Sequence, residues 1–395
     1  TQNILKRRKD MFDFDKETDR RNTGSLKWNV KENELPMWVA DMDFETAPAV
    51  TNAIKARAEH GIFGYSVLPD KWYDAYIGWW KTRHGFSIDK DWLIFCTGVI
   101  PAISSIVRKL TTPAEKVVLM TPVYNIFFNS VLNNGRVVLE CPLDYSDGSY
   151  SIDFKALEKC LSDPQTSLMI LCNPHNPIGK IWDAETLRRV ADMCKKYSVT
   201  VISDEIHCDL TDPGCEYIPF ASVSDTARLN SITCAAPTKS FNIAGLQTAA
   251  VIVPDPVLRH KVWRSLNTDE VAEPNVFAVD AVVAAYDEGA EWFDALRGYI
   301  YDNKKYAEEI LGSFKNIRLV KSQATYLLWL DCTAMPLKGD ALAEDLRNKT
   351  GLYLSSGSAY KGNGAGFLRM NIACPRSRLI DGLERLGRYS ESCGS

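Results

Sequence analysis

The chain has 395 residues, of which 46% are hydrophobic and 24% are charged, a balance typical of globular proteins and not of disordered ones. Its 46 basic and 50 acidic side chains give a formal net charge of −4, which argues against nucleic-acid binding driven by bulk electrostatics. No apolar run reaches the ~18 residues that a membrane-spanning helix requires, so we expect no membrane association.

Between residues 90 and 255, short apolar and β-branched runs alternate with helical periodicity. This alternation predicts an α/β fold with a mostly parallel central sheet flanked by helices. Several runs are apolar on both faces, as buried parallel strands are, and helices are expected at 100–110 and 187–194. The predicted strands are 92–96, 116–120, 136–141, 167–172, 199–203, 231–235 and 247–253.

The last hundred residues show a different pattern, which predicts a smaller α+β domain. We expect the N-terminal segment to pack with it, so the predicted domains are 48–288 for the large domain and 1–47 with 289–395 for the small one. The small-domain elements are predicted as helices at 289–311, 340–349 and 376–389 and strands at 317–320, 325–331 and 366–372.

Ligands of open α/β sheets bind beyond the carboxyl ends of the strands, and polar residues follow several of the predicted strands there. Asn176 lies in a Pro- and Gly-rich turn after one strand, and Asp204 and Lys239 follow two others. Strand 92–96 leads into a helix whose free N–H groups are suited to an anion. An amide, a carboxylate, an amine and an anion site are therefore expected on one rim.

This set of groups suits pyridoxal 5′-phosphate (PLP), which needs a lysine for its aldehyde, an acid opposite its pyridine nitrogen and an anchor for its phosphate. Lys239 is expected to bind the aldehyde, and Asp204 to keep the ring nitrogen protonated. Asn176 is expected to hydrogen-bond the phenolic oxygen. Tyr124 follows another strand and is expected to stack on the ring face.

Six ordered motifs make the chain similar to fold-type I PLP enzymes, and most of all to the cystalysin-like, MalY/PatB-type C–S β-lyases of the aminotransferase class I/II superfamily. The resemblance runs from about residue 11 to 389. It implies catalytic roles for Lys239, Asp204 and Tyr124, and an amino acid as substrate. The motifs are GSLKW at 24–28, WVADMDF at 38–44, NPHNPIG at 173–179, SDEIH at 203–207, TKSFNIAG at 238–245 and FLRMN at 367–371.

The resemblance implies three further sets of contacts. Thr238 and the backbone N–H groups of Val99 and Ile100 would hold the cofactor phosphate. Tyr65 would reach a phosphate across the interface of a homodimer that shares its active sites. Arg369 would bind the substrate α-carboxylate, for which a guanidinium fork is well suited.

Two positions depart from the pattern of aminotransferases. Many of those enzymes carry an arginine eight residues after the lysine, where this chain has Gln247, so its phosphate site loses a fixed positive charge. Aspartate-type aminotransferases carry a tyrosine where this chain has His207. Both departures suit the lyase branch, and we expect His207 and His175 to be structural.

The 11 cysteines are scattered without a CxxC pair, and the five histidines show no metal-ligand spacing. Zinc sites and redox dithiols use closely spaced ligands, so we expect no metal. Free thiols at this frequency are typical of the reducing cytoplasm, where we expect the protein to be located.

The sequence therefore predicts a C–S β-lyase that cleaves L-cystathionine and related L-cysteine S-conjugates to a thiol, pyruvate and ammonia. Two alternatives stay open. One is a PLP-dependent aminotransferase, because the same carbanion can be reprotonated on the cofactor. The other is a regulatory binding protein on the same scaffold, although no sequence feature marks a partner surface.

Overall fold

The computed structural model describes residues 12–393, and its strands include all seven that are predicted between residues 92 and 253. The strands are Leu35–Pro36 (β1), Leu93–Cys96 (β2), Lys116–Thr121 (β3), Val137–Pro142 (β4), Asp144–Ser146 (β5), Ser149–Ser151 (β6), Thr166–Cys172 (β7), Thr200–Asp204 (β8), Ser231–Ala235 (β9), Ala249–Ile252 (β10), Arg318–Leu319 (β11), Leu327–Asp331 (β12), Leu352–Tyr353 (β13), Ser355–Ser356 (β14) and Phe367–Asn371 (β15).

The helices connect these strands and cover the sheets. They are Pro48–His60 (α1), Asp70–His84 (α2), Val99–Leu110 (α3), Ile126–Leu132 (α4), Phe154–Leu161 (α5), Ala184–Lys196 (α6), Asp225–Leu229 (α7), Pro256–Thr268 (α8), Ala278–Glu288 (α9), Ala290–Leu311 (α10), Gly339–Thr350 (α11) and Arg376–Ser392 (α12). Within the described residues, no helix is both long enough and apolar enough to cross a membrane.

The main sheet has seven strands in the order β2-β10-β9-β8-β7-β3-β4. Neighbours from β9 to β4 pair in parallel, and β10 pairs antiparallel with both β9 and β2. The carboxyl ends of the six other strands and the amino end of β10 therefore lie along the same end of the sheet. The predicted fold class is confirmed.

Alternating side chains bury both faces of this sheet. Val117 and Leu119 belong to a core with α3, α4 and α8, whereas Val118 and Met120 pack in a second core with α5 and α6. Because helices cover both faces, the strands are apolar on both sides. Helix α6 shows the matching pattern: Asp183 caps its first turn, and its apolar stripe is buried.

A smaller sheet with the order β11-β12-β15-β14 is antiparallel throughout. Strand β1 pairs in parallel with β13, which places Leu35 opposite Leu352. Residues 35–36 of the N-terminal segment therefore contact residues 352–353 of the C-terminal part. Residues 1–11 and 394–395 of the predicted small domain lie outside the described residues.

Several predicted strand limits were wrong, and the backbone explains why. Gln247 has φ of 53° and ψ of 71°, a left-handed conformation that a strand does not contain, so β10 begins at Ala249. Thr325 has φ of 71°, and β12 begins at Leu327. Asp204 is the last residue of β8 and does not follow it.

Candidate active site

A cavity of about 320 Å³ opens at the sheet edge where the parallel strands end. A second cavity of about 630 Å³ shares Ala40, Tyr124 and Lys239 with it, so the two form one cleft. Arg369 lines the second cavity. The predicted residues that line the first cavity are Val99, Ile100, Tyr124, Asn176, Asp204, Thr238 and Lys239.

Lys239 lies on the loop after β9. Among residues 12–393 its amine has one hydrogen-bond partner, the carbonyl oxygen of Ala40 at 2.7 Å from Nζ. Burial, followed by the positive charge of Arg369, lowers the pKa of Lys239 to about 8, although Asp41 and Asp204 act in the opposite direction. An appreciable fraction of this amine is therefore neutral near pH 7, and the neutral amine is the form that attacks a carbonyl carbon.

Asp204 ends β8 with a nearly buried carboxyl group. Burial raises the pKa of Asp204 to about 7, and this effect is opposed by a hydrogen bond from the Ile206 N–H and by the charge of Lys239. The Ile206 bond is made to Oδ1 at 3.1 Å, and Oδ2 has no partner in the described part of the chain. A cation facing Oδ2 would favour the ionised carboxylate.

Arg369 reaches the cleft from β15 and is buried there. Its Nη1 donates to Oδ1 of Asn176 at 3.2 Å, and its Nη2 donates to the carbonyl oxygen of Trp38 at 2.8 Å. Its Nε is buried and has no hydrogen-bond partner among residues 12–393. A buried guanidinium with an unused donor and no carboxylate partner in the described chain is suited to a carboxylate ligand.

Helix α3 begins at the cavity with unused backbone donors. No side chain caps this helix, and the N–H groups of Val99 and Ile100 have no partner among the described residues. Pro101 has no N–H, and the Ala102 N–H already bonds the Gly98 carbonyl at 3.0 Å. Two N–H groups at a helix N-terminus are thus free to bind an anion.

Tyr124 and Tyr65 occupy very different positions. Tyr124 lines both cavities and packs edge-to-face on Phe127, with ring centroids 5.6 Å apart. Burial raises the pKa of its hydroxyl, so Tyr124 is neutral at physiological pH. Tyr65 is fully exposed in the loop between α1 and α2 and lines neither cavity of its own chain.

The two histidines of the motifs are neutral. Burial lowers the pKa of His175 to about 4, and its Nε2 donates to the Pro122 carbonyl at 2.9 Å. Burial, then the charges of Lys239 and Arg369, lower the pKa of His207 to about 3. His207 lines the smaller cavity, but a group with this pKa does not act as an acid near pH 7.

Sequence reasoning missed how the segment around Ala40 holds Lys239. The Ala40 carbonyl also accepts a hydrogen bond from the Tyr326 hydroxyl at 3.1 Å. Asn371 donates to the carbonyls of Val39 and Asp41, each at 2.6 Å. A backbone carbonyl acceptor has no signature in the sequence, and Tyr326 lies in an apolar run. The WVADMDF and FLRMN motifs, which contain Ala40 and Asn371, were therefore the available signals of this contact.

One group in the described residues has the side chains of a metal site: His84, Cys208 and Asp209. The Asp209 carboxylate accepts hydrogen bonds from Trp79 Nε1 at 2.9 Å, His84 Nε2 at 2.9 Å and Ser240 Oγ at 2.7 Å. These bonds satisfy both carboxylate oxygens of Asp209, and they connect the loop after β8 to Ser240, the residue next to Lys239. The hydrogen-bond network therefore explains the cluster as a structural feature.

The residues of the cleft fit PLP. Lys239 offers a partly neutral amine for the aldehyde. The Oδ2 atom of buried Asp204, which has no partner among the described residues, suits a protonated ring nitrogen. The N–H groups at the start of α3, also without partners in residues 12–393, suit a phosphate. Each of these groups lines the same 320 Å³ cavity.

Comparisons with known proteins agree with this geometry. Residues 33–386 match the sequence model of the family described as aminotransferase class I and II. The chain is 44% identical over 382 residues to cystathionine beta-lyase PatB of Bacillus subtilis, covering 95% of this chain and 99% of that protein. It is 35% identical over 387 residues to protein MalY of Escherichia coli, covering 95% and 98%.

The fold is similar to that of cystalysin from Treponema denticola, whose crystal structure contains a pyridoxal 5′-phosphate cofactor. The TM-score is 0.93 at 32% sequence identity, and the match covers 96% of this chain and 99% of that one. The family match spans most of the chain, and the relatives match it nearly end to end. The chain therefore belongs to the PLP-dependent aminotransferase class I and II family, in its cystalysin-like, MalY/PatB-type branch.

Proposed function

We propose that the protein is a PLP-dependent C–S β-lyase that cleaves L-cystathionine and other L-cysteine S-conjugates to a thiol, pyruvate and ammonia. One observation carries the proposal: three groups border one cleft. They are the Lys239 amine, the Asp204 carboxylate, whose Oδ2 has no partner among residues 12–393, and Arg369, whose buried Nε has none there either. The name of the Bacillus subtilis relative, cystathionine beta-lyase, supports the lyase reaction.

The proposed substrate contacts follow from Arg369, whose Nε has no hydrogen-bond partner among residues 12–393. Arg369 binds the substrate α-carboxylate through its guanidinium and so fixes the amino acid beside Lys239. The Lys239 amine is then the general base that takes the proton from the substrate Cα. A thiolate leaves from Cβ, and the 630 Å³ cavity gives the attached thiol group room.

When bound, PLP supplies a ring that accepts the electron pair left at the substrate Cα. Asp204 would balance the positive charge of the ring nitrogen, and Asn176 would hydrogen-bond the phenolic oxygen. Tyr124 would stack on the ring. The N–H groups of Val99 and Ile100 would hold the phosphate together with the Thr238 hydroxyl.

Incubation of the holoenzyme with L-cystathionine tests the reaction type. A β-lyase releases pyruvate and a free thiol in equal amounts without an added keto acid. An aminotransferase instead requires a keto acid and converts it to an amino acid. Turnover that depends on the keto acid would replace the lyase proposal by its alternative, and a purely regulatory protein would show neither reaction.

The pH dependence of cofactor binding tests the state of Lys239. Because its pKa lies near 8 and the neutral amine reacts, the rate constant for PLP binding to the apoprotein should rise with pH through about 8. The neutral fraction grows about tenfold between pH 7 and pH 9. Stopped-flow absorbance measures this rate, and a rate that is flat or falls over this range would contradict the assignment.

Replacement of Arg369 by lysine tests carboxylate binding. Lysine keeps the charge but loses the fork, so we expect KM for L-cystathionine to rise about 10- to 100-fold with a smaller change in kcat. Arg347 also lines the cleft but pairs with Glu34 at 2.8 Å, so Arg347→Lys is the control. An Arg369→Lys enzyme with the wild-type KM would overturn the role.

We also propose a homodimer in which Tyr65 reaches the phosphate site of the partner. Its support is an exposed apolar loop, in which Ile62, Phe63 and Val67 are 67%, 57% and 82% exposed. Sedimentation velocity should give about twice the 44.3 kDa chain mass. In a hybrid dimer of one Lys239→Ala chain and one Tyr65→Phe chain, one of the two sites should contain both an intact Lys239 and an intact Tyr65.

We propose that the domains are 48–288 for the larger one and 1–47 with 289–395 for the smaller one. The seven-stranded sheet lies within 93–252 and the four-stranded sheet within 318–371, which supports this division. We also propose a cytoplasmic location. All 11 cysteines are free thiols, as is usual in that reducing compartment.

A further inference from the structure

The cavity contains a buried hydroxyl that the proposed roles do not use. Thr248 is fully buried and lines the 320 Å³ cavity. Its Oγ1 has no hydrogen-bond partner among residues 12–393. Buried hydroxyls without a partner are rare because they lose their bonds to water and gain none in return, so this atom is suited to a ligand.

Strand register places Thr248 at the anion-binding end of the cavity. Ala249 of β10 pairs antiparallel with Cys96 of β2 as the last pair of that ladder, so Thr248 precedes β10 and Thr97 follows β2 at the same end of the two strands. Thr97 and Gly98 lead directly into α3, whose N–H groups at Val99 and Ile100 have no partner among the described residues. The unpaired hydroxyl and the free backbone donors therefore lie in the same part of the cavity.

The end of the cavity near α3 also has few charged side chains. Among the described residues that line the cavity, Lys239 is the one cation, and its amine serves the cofactor aldehyde. Position 247, where many aminotransferases carry arginine, holds Gln247, whose side chain has no partner in the described structure. The donors left for a phosphate from this chain are therefore neutral.

We propose that the Thr248 hydroxyl donates a hydrogen bond to the cofactor phosphate, and that this chain binds the phosphate with neutral donors only. The inference rests on the proposed use of PLP. The donor set is the Thr248 and Thr238 hydroxyls with the N–H groups of Val99 and Ile100. Hydrogen bonds from preorganised donors to an anion are strong in a buried site, and they take the place of the missing arginine.

Cofactor affinity of the holoenzyme tests the role of Thr248. Thr248→Val keeps the shape and loses the donor, so the Kd for PLP should rise about tenfold or more, as expected for one hydrogen bond to a charged group. Thr248→Ser keeps the hydroxyl and should stay within about threefold of wild type. Pyridoxal, which lacks the phosphate, should bind both variants and the wild type alike.

Equal PLP affinity of the Thr248→Val and wild-type proteins would overturn the assignment. An equal loss for PLP and pyridoxal would also overturn it, since Thr248 would then be structural. If the valine variant fails to fold, the serine variant decides: a large rise in the Kd for PLP in Thr248→Ser would overturn the assignment, because serine keeps the hydroxyl. A wild-type protein that binds no PLP would instead refute the proposed function itself.

Salt dependence tests the neutral character of the phosphate site. Ionic screening weakens charge pairs more than hydrogen bonds between neutral donors and an anion in a buried site. Gln247→Arg should therefore bind PLP more tightly at low salt and lose that gain as salt is added, whereas the wild-type Kd changes less. A wild-type Kd as salt-sensitive as that of Gln247→Arg would show that a cation holds the phosphate and contradict the inference.

Discussion

Replacement of Lys239 by alanine should lower the rate of thiol release from L-cystathionine by about 10³-fold or more. The variant loses both the amine that binds the cofactor aldehyde and the base at the substrate Cα, and a positioned base alone contributes about 10²- to 10⁴-fold. No other lysine lines either cavity among the described residues, so no neighbouring amine replaces it. A continuous thiol assay measures the loss.

Two controls separate lost chemistry from lost structure. Lys261→Ala removes an exposed lysine of α8 and should leave the rate unchanged. A small primary amine such as methylamine should restore part of the activity of Lys239→Ala, because it supplies the missing base. A Lys239→Ala enzyme that retains more than a tenth of the wild-type rate would refute the proposed role.

Replacement of Asp204 by asparagine should lower kcat by about 10²- to 10³-fold, the effect of removing one preorganised charge-stabilising group. In the cofactor-free protein, burial raises the pKa of Asp204 to about 7, so its proton is lost as the pH rises through 7. A cation at Oδ2 favours the ionised form and lowers this pKa. Asparagine has the same shape but never carries the balancing negative charge.

Glu205→Gln is the matched control for this prediction. Glu205 is buried next to Asp204, but its carboxylate bonds Ser203, Tyr217 and the Phe220 N–H. Its replacement should lower the melting temperature and leave kcat of the folded enzyme within about threefold of wild type. Steady-state kinetics of both variants tests the contrast. Equal kcat values in Asp204→Asn and wild type would contradict the proposed charge balance.

The central sheet was predictable because its strands are buried on both faces. Strand 231–235 is observed as predicted, and 167–172 is extended by one residue. Long apolar runs between turn residues are a strong local signal. The polar residues that end or follow these runs could be located for the same reason, and the structure places Asn176, Asp204 and Lys239 around one cavity.

Other features depend on contacts that the local pattern does not contain. The run around Thr248 looks like a strand from residue 247, yet the chain turns through a left-handed Gln247 before β10 begins. The antiparallel direction of β10 is likewise absent from its own residues. The Ala40 carbonyl that holds Lys239 is a backbone atom, so sequence alone gives no sign of its role.

The most direct measurement concerns the covalent attachment site. The holoenzyme is reduced with borohydride and digested, and the peptide that carries the pyridoxyl group is identified by mass spectrometry. We expect a single modified residue, Lys239, and loss of the visible absorbance band on reduction. A protein that stays colourless with PLP, or a label on a different lysine, would contradict it.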